Sequence, residues 1–196
     1  MTPGAGRTIR RTVRVCLVLL LAAAGPLAAE APDRSRPPNI VFILADDLGW
    51  SDLGGYGSDL HETPHIDRLV EEGVRFTSAY AAAPVCTPTR ASIMTGLYPA
   101  RLHTTVWFEA SQNPPRDRRL IPPTTVGNLS HSHLTVAEAL HAAGYLTAHV
   151  GKWHLGDAAH YPETHGFDVN IGGTFWGAPA TFFHPYRGLW STGTTR

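Results

Sequence analysis

Residues 38–50 read PNIVFILADDLGW, and this stretch predicts both a fold class and the position of a functional site. Its apolar, β-branched run IVFILA is typical of a strand that is buried on both faces of a parallel sheet. The run stops abruptly at Asp46 and Asp47. Ligand sites in open parallel sheets gather beyond the carboxyl ends of strands, so the two carboxylates indicate a site, with a solvated turn as the alternative.

Two helix patterns follow along the chain. In TPHIDRLVEEG, Thr63 offers a capping oxygen, Pro64 suits the first helical position and Gly73 ends the pattern. In LTVAEALHAAGY, Thr135 and Glu138 have the spacing of a capping box. Both stretches predict short amphipathic helices.

Strand patterns alternate with these helices. VRFTSAYA at 74–81 and YLTAHVG at 145–151 predict a second and a third strand. Residues 97–133 lack a sustained hydrophobic period, so we expect an irregular segment that crosses the edge of the sheet. The residues after 156 are rich in glycine and aromatic side chains and predict more loop than core. The order strand, helix, strand, helix, strand predicts an α/β domain with a parallel or mixed sheet flanked by helices.

The amino terminus has the three-part layout of a secretory signal peptide. Arginines precede the apolar run VCLVLLLAAAGPL, and small residues follow it. We expect residues 1–31 to be the signal peptide of a secreted or periplasmic protein and residues 32–196 to carry the fold. The run is short and contains glycine and proline, so no stable membrane anchor is expected.

Composition excludes one class of partner. The 16 basic residues balance the 16 acidic ones, and the two signs are interspersed. This pattern does not provide the basic surface that nucleic acids require.

Cys86 is isolated in the expected mature protein. The only other cysteine, Cys16, lies in the predicted signal peptide, so Cys86 has no disulfide partner within the mature chain. A buried free cysteine that acts as a small hydrophobic residue is one explanation. The neighbouring residues offer another.

The stretch PVCTPTRASIMTG predicts a helix that Cys86 or Thr87 caps and that Gly96 ends. Cys86 would then lie at the helix N-terminus, where unpaired backbone N–H groups favour anions. Arg90 follows one turn later and would direct its guanidinium toward the same end of the helix. The local pattern predicts a nucleophile in an anion-binding site.

A second cationic pattern lies in GKWHLG. The spacing of Lys152 and His154 would place both on one side of an extended segment, with Trp153 on the other. The pair combines a cation with a proton-transfer group, although ordinary surface residues would give the same pattern.

Three stretches together closely resemble the amino-terminal half of the sulfatases: PNIVFILADDLGW, TPHIDRLVEEGVRFTSAYAAAPVCTPTRASIMTGLYPAR and GYLTAHVGKWHLG. Residues 86–90, CTPTR, are similar to the family's C-x-P-x-R signature. The resemblance implies an alkaline phosphatase-like fold that is incomplete on its C-terminal side, and hydrolysis of a sulfated small molecule or carbohydrate.

The resemblance also implies roles for individual residues. Cys86 would be oxidised by a formylglycine-generating enzyme, and the hydrated aldehyde would be the nucleophile. Asp46, Asp47 and modified Cys86 would bind Ca²⁺, which prefers oxygen ligands. The remaining roles would be charge stabilisation by Arg90, binding of sulfate oxygens by Lys152, and proton transfer by His154 during elimination of sulfate.

Family members continue well beyond this length, and their later half supplies further metal and sulfate ligands. We therefore expect this chain to be a truncated copy that is inactive alone. Asp168, Asn170 and His184 lie in a context that does not match those later ligands, and no such role is carried over to them. Hydrolysis of phosphate or phosphonate esters and a non-catalytic remnant are the alternative functions.

Overall fold

The computed structural model describes residues 37–113, 117, 119–120, 123–179 and 181–184. The predicted signal peptide at 1–31 lies outside these residues. The chain divides into two compact units, residues 1–45 and 46–196. None of the described helices is long and apolar enough to cross a membrane.

The described part of the first unit, residues 37–45, has no regular secondary structure. The prediction of a strand in IVFILA is therefore wrong. Its side chains are exposed, with Val41 at 83% and Ile43 at 82%. A strand needs a backbone partner. Strand pairing in the described residues is confined to two short strands of the second unit.

The described residues of the second unit form four α-helices, two strands and three short 3₁₀ turns. The helices are α1 (Pro64–Glu72), α2 (Cys86–Thr95), α3 (Phe108–Gln112) and α4 (Val136–Ala142); the strands are β1 (Ala148–Val150) and β2 (Val169–Ile171); the turns are Gly54–Tyr56, Ala158–His160 and Pro162–His165. The prediction of a strand at 74–81 is wrong, because these residues form bends and irregular chain. Helix α3 lies in the segment that was expected to be irregular.

The two strands pair in parallel, with Ala148 opposite Val169 and Val150 opposite Ile171. Strand β1 confirms the prediction for YLTAHVG. The described residues after 156 are mostly loop and turn, as predicted, and strand β2 and the fully buried His165 are the exceptions. The parallel pair with flanking helices confirms the α/β class.

Helix ends follow the predictions in part. Helix α4 has the full capping box: Glu138 N donates to Thr135 Oγ1 at 3.1 Å, and Thr135 N donates to Glu138 Oε2 at 2.7 Å. Helix α1 begins at Pro64 as predicted, but Thr63 does not cap it. The Thr63 hydroxyl instead donates to Asp67 Oδ1 at 2.8 Å and accepts from the backbone N–H of Gly54 at 2.9 Å, which lies outside the helix.

The buried core lies between α2 and the segment that follows β1. Its five buried members are Ala91, Leu102, Leu129, Trp153 and Leu155. Since Ala91 is in α2 and Trp153 directly follows Lys152, packing of this core fixes the helix that begins at Cys86 against the GKWHLG segment. The two predicted motifs are thus held together by apolar burial.

Candidate active site

Helix α2 places Cys86 at its first position, which confirms the expected location at a helix N-terminus. The predicted cap is wrong: Val85 is the N-cap residue, and no side chain caps the helix. Cys86 is a half-buried free thiol. Helix α2 ends at Thr95, and its C-cap residue Gly96 has a φ of 69°. This left-handed conformation costs glycine little and explains why the helix stops there.

Thr87 joins three separate parts of the chain. Its buried hydroxyl donates to the backbone oxygen of His154 at 2.9 Å and accepts from the backbone N–H of Phe108 at 3.0 Å. The hydroxyl therefore has a partner for both its donor and its acceptor functions. Through Thr87, helix α2 fixes the histidine of GKWHLG and the start of helix α3.

Lys152 lies between the cysteine and a carboxylate. Its ammonium donates to Asp46 Oδ2 at 2.8 Å, to Asp46 Oδ1 at 3.0 Å and to Cys86 Sγ at 3.1 Å. The Lys152 side chain is 12% exposed, so water screens these contacts only partly. Three residues that are far apart in sequence thus meet at the N-terminus of α2.

Arg90 joins the same cluster from helix α2. Its Nη2 lies 3.5 Å from Asp46 Oδ1, and its Nη1 donates to the backbone oxygen of Lys152. Burial acts to raise the pKa of Asp46, but the hydrogen bond from Lys152 and the charges of Lys152 and Arg90 outweigh burial, so the pKa of Asp46 is lowered. The carboxylate is therefore ionised at neutral pH.

Asp46, Asp47 and Cys86 form a candidate metal site. One ligand atom from each lies within 4.8 Å of the others. Among the described residues, these three side chains are the group of histidine, cysteine or acidic residues that could hold a metal ion. The two carboxylates are exposed and suit a hard cation such as Ca²⁺, whereas the soft thiol sulfur does not. The donor set fits Ca²⁺ once an oxygen replaces the sulfur of Cys86.

His154 differs from its predicted placement. Its φ of 60° is left-handed, so the regular alternation expected for an extended segment does not hold at this residue. The imidazole is buried, and its Nε2 lies 2.7 Å from Glu109 Oε2. Burial lowers the pKa of His154 and the charges of Lys152 and Arg90 lower it further, while Glu109 opposes them.

Sequence reasoning missed Glu109. It lies in the first turn of α3, inside the segment that was expected to be irregular. No motif or spacing in the sequence links it to His154, and the hydrogen bond spans 45 residues. The hydrogen bond from the Phe108 backbone to Thr87 places the start of α3 beside α2, so the two side chains meet only in the folded chain.

The residues that the sequence analysis left without a role have structural partners. Asp168 Oδ2 accepts from the backbone N–H of Thr147 at 2.8 Å, which ties the chain before β1 to the chain before β2. Asn170 in β2 donates to Glu163 at 3.0 Å and to the backbone oxygen of Gly173 at 2.9 Å. Neither belongs to the cluster around Asp46.

Comparison with known proteins identifies the family. The family model described as Sulfatase matches residues 38–186. The chain belongs to the sulfatase family. The chain is similar to N-acetylgalactosamine-6-sulfatase of Canis lupus familiaris, with 42% identity over 173 residues that cover 87% of this chain and 30% of the relative. It is also 44% identical to steryl-sulfatase of Mus musculus over 168 residues, which cover 79% of this chain and 24% of that protein.

Solved structures show the same relation. The crystal structure of Ps i-CgsB with k-i-k-neocarrahexaose matches with a TM-score of 0.58 and 35% identity over 69% of this chain and 28% of that one. The PsFucS1 sulfatase from Pseudoalteromonas sp. matches with a TM-score of 0.56 and 34% identity over 71% of this chain and 26% of that one. The chain therefore spans about 30% or less of the length of these relatives.

Proposed function

We propose that this chain contributes the nucleophile, the cationic groups and part of the metal site of an enzyme that hydrolyses sulfate esters. The observation that carries the proposal is the position of Lys152, whose ammonium contacts both Asp46 and Cys86 at the N-terminus of α2. A cluster of fixed cations beside a nucleophile can neutralise the charge that a sulfuryl group carries through its transition state. Membership of the sulfatase family supports this reaction.

Cys86 is the proposed precursor of the nucleophile. A formylglycine-generating enzyme would oxidise its side chain to an aldehyde, and the hydrate of this aldehyde supplies a hydroxyl nucleophile. Two observations support conversion: Cys86 has no disulfide, and its sulfur lies in a candidate site whose other donors are carboxylates. Because carboxylate sites select hard cations, an oxygen at position 86 suits this site better than sulfur does.

Asp46, Asp47 and the converted side chain of Cys86 are the proposed ligands of Ca²⁺. The bound ion supplies positive charge, which favours the ionised form of a hydroxyl nucleophile. Ca²⁺ takes about six to eight oxygen ligands. These three residues therefore provide part of its coordination sphere.

Each remaining site residue has a proposed task that follows from its contacts. Arg90 neutralises Asp46 and adds charge at the N-terminus of α2. Lys152 binds sulfate oxygens with an ammonium that is already held beside Cys86. His154 accepts and returns a proton, since its lowered pKa keeps it neutral at neutral pH.

The proposed substrates are sulfated small molecules or carbohydrates, and the named relatives support a sulfated carbohydrate or steroid. We also propose that residues 1–31 are a signal peptide that directs export to the periplasm or the medium, and that residues 32–196 form the amino-terminal part of a sulfatase catalytic region. A formylglycine-generating enzyme is the proposed protein partner.

The proposed function is tested by mass spectrometry of the Cys86 peptide together with a turnover assay. The tryptic peptide of residues 76–90 contains Cys86 and would carry an aldehyde in place of the thiol after coexpression with a formylglycine-generating enzyme. Converted protein, joined to the later half that its longer relatives carry, should hydrolyse an aryl sulfate in the presence of Ca²⁺, and Cys86→Ala should abolish turnover in this extended protein. Cys16→Ser is the matched control, because Cys16 lies in the predicted signal peptide and should not alter turnover by the exported protein.

Other outcomes select the alternatives. Faster turnover of an aryl phosphate than of the aryl sulfate would replace the proposal with a phosphate ester hydrolase. An intact aldehyde at position 86 without turnover of either substrate would favour a non-catalytic protein.

A further inference from the structure

Two backbone hydrogen bonds fix the position of His154 independently of the contacts of its ring. Its N–H donates to the backbone oxygen of Thr174 at 3.0 Å, and its backbone oxygen accepts from Thr87 at 2.9 Å. The left-handed φ of 60° costs free energy for a residue other than glycine. These two hydrogen bonds help to keep that conformation in place.

The ring is oriented by Glu109 and by a close approach of Gly177. The Nε2 atom lies 2.7 Å from Glu109 Oε2. A methyl group placed on Gly177 would lie 2.6 Å from His154 Cε1, so the glycine leaves room for the imidazole. The backbone N–H of Gly177 also donates to the Glu109 carboxylate. Gly177 therefore contacts both members of the pair.

Helix α3 fixes the position of the Glu109 carboxylate. The backbone N–H of Phe108 donates to Thr87, so α3 starts at a defined point beside α2. A methyl group on Gly127 would lie 2.3 Å from Ser111 Oγ and 2.8 Å from the Phe108 ring, so α3 packs closely on this glycine. Glu109 is thus attached to the scaffold that also holds His154.

The contact between His154 and Glu109 defines which nitrogen of the imidazole ring carries the proton. Burial acts to raise the pKa of Glu109, but its hydrogen bond with His154 and its backbone hydrogen bonds outweigh burial and lower the pKa. The ionised carboxylate can only accept a hydrogen bond, so Nε2 must be the donor. In the neutral ring, Nδ1 then bears the lone pair. Nδ1 is buried and has no hydrogen-bond partner among the described residues.

We propose that Glu109 is a positioning residue that holds His154 as the Nε2–H tautomer and leaves Nδ1 as the atom that accepts a proton in the reaction. This inference rests on the proposed function for the identity of the proton donor, a hydroxyl of the nucleophile. In the proposed reaction that hydroxyl would give its proton to Nδ1 and become the negatively charged oxygen, while the Nε2–H would stay hydrogen-bonded to Glu109. The imidazolium then has a carboxylate beside it, which compensates its charge.

The first readout does not depend on turnover. In protein labelled with ¹⁵N-histidine, the ring nitrogen shifts of His154 should report the Nε2–H tautomer at neutral pH. Glu109→Gln keeps the size of the side chain and removes its charge, and a glutamine can either donate or accept. The variant should lose the preference for Nε2–H, and the pKa of His154 should fall because the carboxylate raises it in the parent.

A second histidine–carboxylate pair, His160 and Asp157, offers a matched control. Asp157 accepts from His160 at 2.9 Å and is exposed, so it forms a histidine–carboxylate pair outside the site. Asp157→Asn should leave the tautomer and the pKa of His154 unchanged. If Glu109→Gln also leaves both unchanged while its other backbone shifts match those of the parent, the proposal is wrong.

Turnover provides the second readout. In converted protein that is joined to the later half of its longer relatives, Glu109→Gln should lower kcat by roughly 10- to 100-fold with little change in KM, because the loss concerns proton transfer rather than substrate binding. Gly177→Ala should lower kcat by displacing the ring while the Glu109 charge remains. Failure of the parent to turn over any substrate would contradict the proposed function, whereas the tautomer measurement would still decide the role of Glu109.

Discussion

Two regions of the second unit differ sharply in the exposure of their large side chains. Residues 152–167 bury Trp153, Leu155 and His165 to 2%, 1% and 0% exposure. Residues 60–80 leave large apolar side chains in water, among them Phe76 at 68% and Tyr80 at 90%. The GKWHLG motif, which contains Lys152 and His154, begins the buried region. The free energy of burial that holds the site together therefore comes from this region and not from the segment that joins Asp47 to α2.

The largest expected effect comes from the centre of the buried region. Trp153 contacts the rings of His149, His165 and Phe167 at centroid distances of 5.2 to 5.9 Å. Trp153→Ala should lower the free energy of unfolding by about 3–5 kcal/mol, measured by urea denaturation. Phe76→Ala is the control in the exposed region and should change stability by about 0.5 kcal/mol or less. Equal losses would remove the contrast between the regions.

Acid should weaken the buried region. Burial lowers the pKa of His165 to about 4, helped by the charges of His131 and His160. The unfolded chain, with a histidine pKa of 6.5, binds the proton more readily, so stability falls as pH drops from about 6.5 to about 4 and then levels. His165 alone should contribute up to about 3 kcal/mol to this loss.

His165→Phe keeps a ring in the stack and removes its titration, so the pH dependence of urea denaturation should become flatter. A slope should remain, since burial also lowers the pKa of His149 to about 4. His61→Phe, at an exposed position, should leave the slope unchanged. An unchanged slope in His165→Phe would show that this residue is not a source of acid sensitivity.

A smaller effect is expected at the hydroxyl that links α2, α3 and His154. Thr87→Val keeps the shape of the side chain and leaves the oxygen of His154 and the N–H of Phe108 without this partner. The loss should be about 1–3 kcal/mol in urea denaturation. Thr105→Val removes an exposed hydroxyl that lies 3.5 Å from Thr125 and should cost less. A larger loss at Thr105 would argue against Thr87 as the link.

The smallest effect is expected on the exposed helix α1. Arg68 Nε lies 3.9 Å from Glu72 Oε1, and both side chains are more than 60% exposed. Arg68→Ala should change the free energy of unfolding by about 0.5 kcal/mol or less, because water and salt screen the pair. A double-mutant cycle with Glu72→Ala measures the coupling, and a value well above this limit would mean that α1 contributes more than its exposure indicates.

Local patterns in the sequence predicted the elements whose signals are local. The capping box of Thr135 and Glu138, the start of α1 at Pro64 and the end of α2 at Gly96 all depend on residues within a few positions of each other. Strands were predicted less well, because IVFILA and VRFTSAYA have the right composition but no pairing partner in the described chain. Strand pairing is a long-range property that composition does not encode.

By itself, the sequence determined the family, the α/β class and the place of Cys86 at the start of a helix, since motif spacing and turn residues carry this information locally. The tertiary structure alone decided that Lys152 lies between Asp46 and Cys86 and that Glu109 meets His154. These contacts join residues 45 to 106 positions apart. They form only when burial of the core and the two hydrogen bonds of Thr87 bring α2, α3 and the GKWHLG segment together.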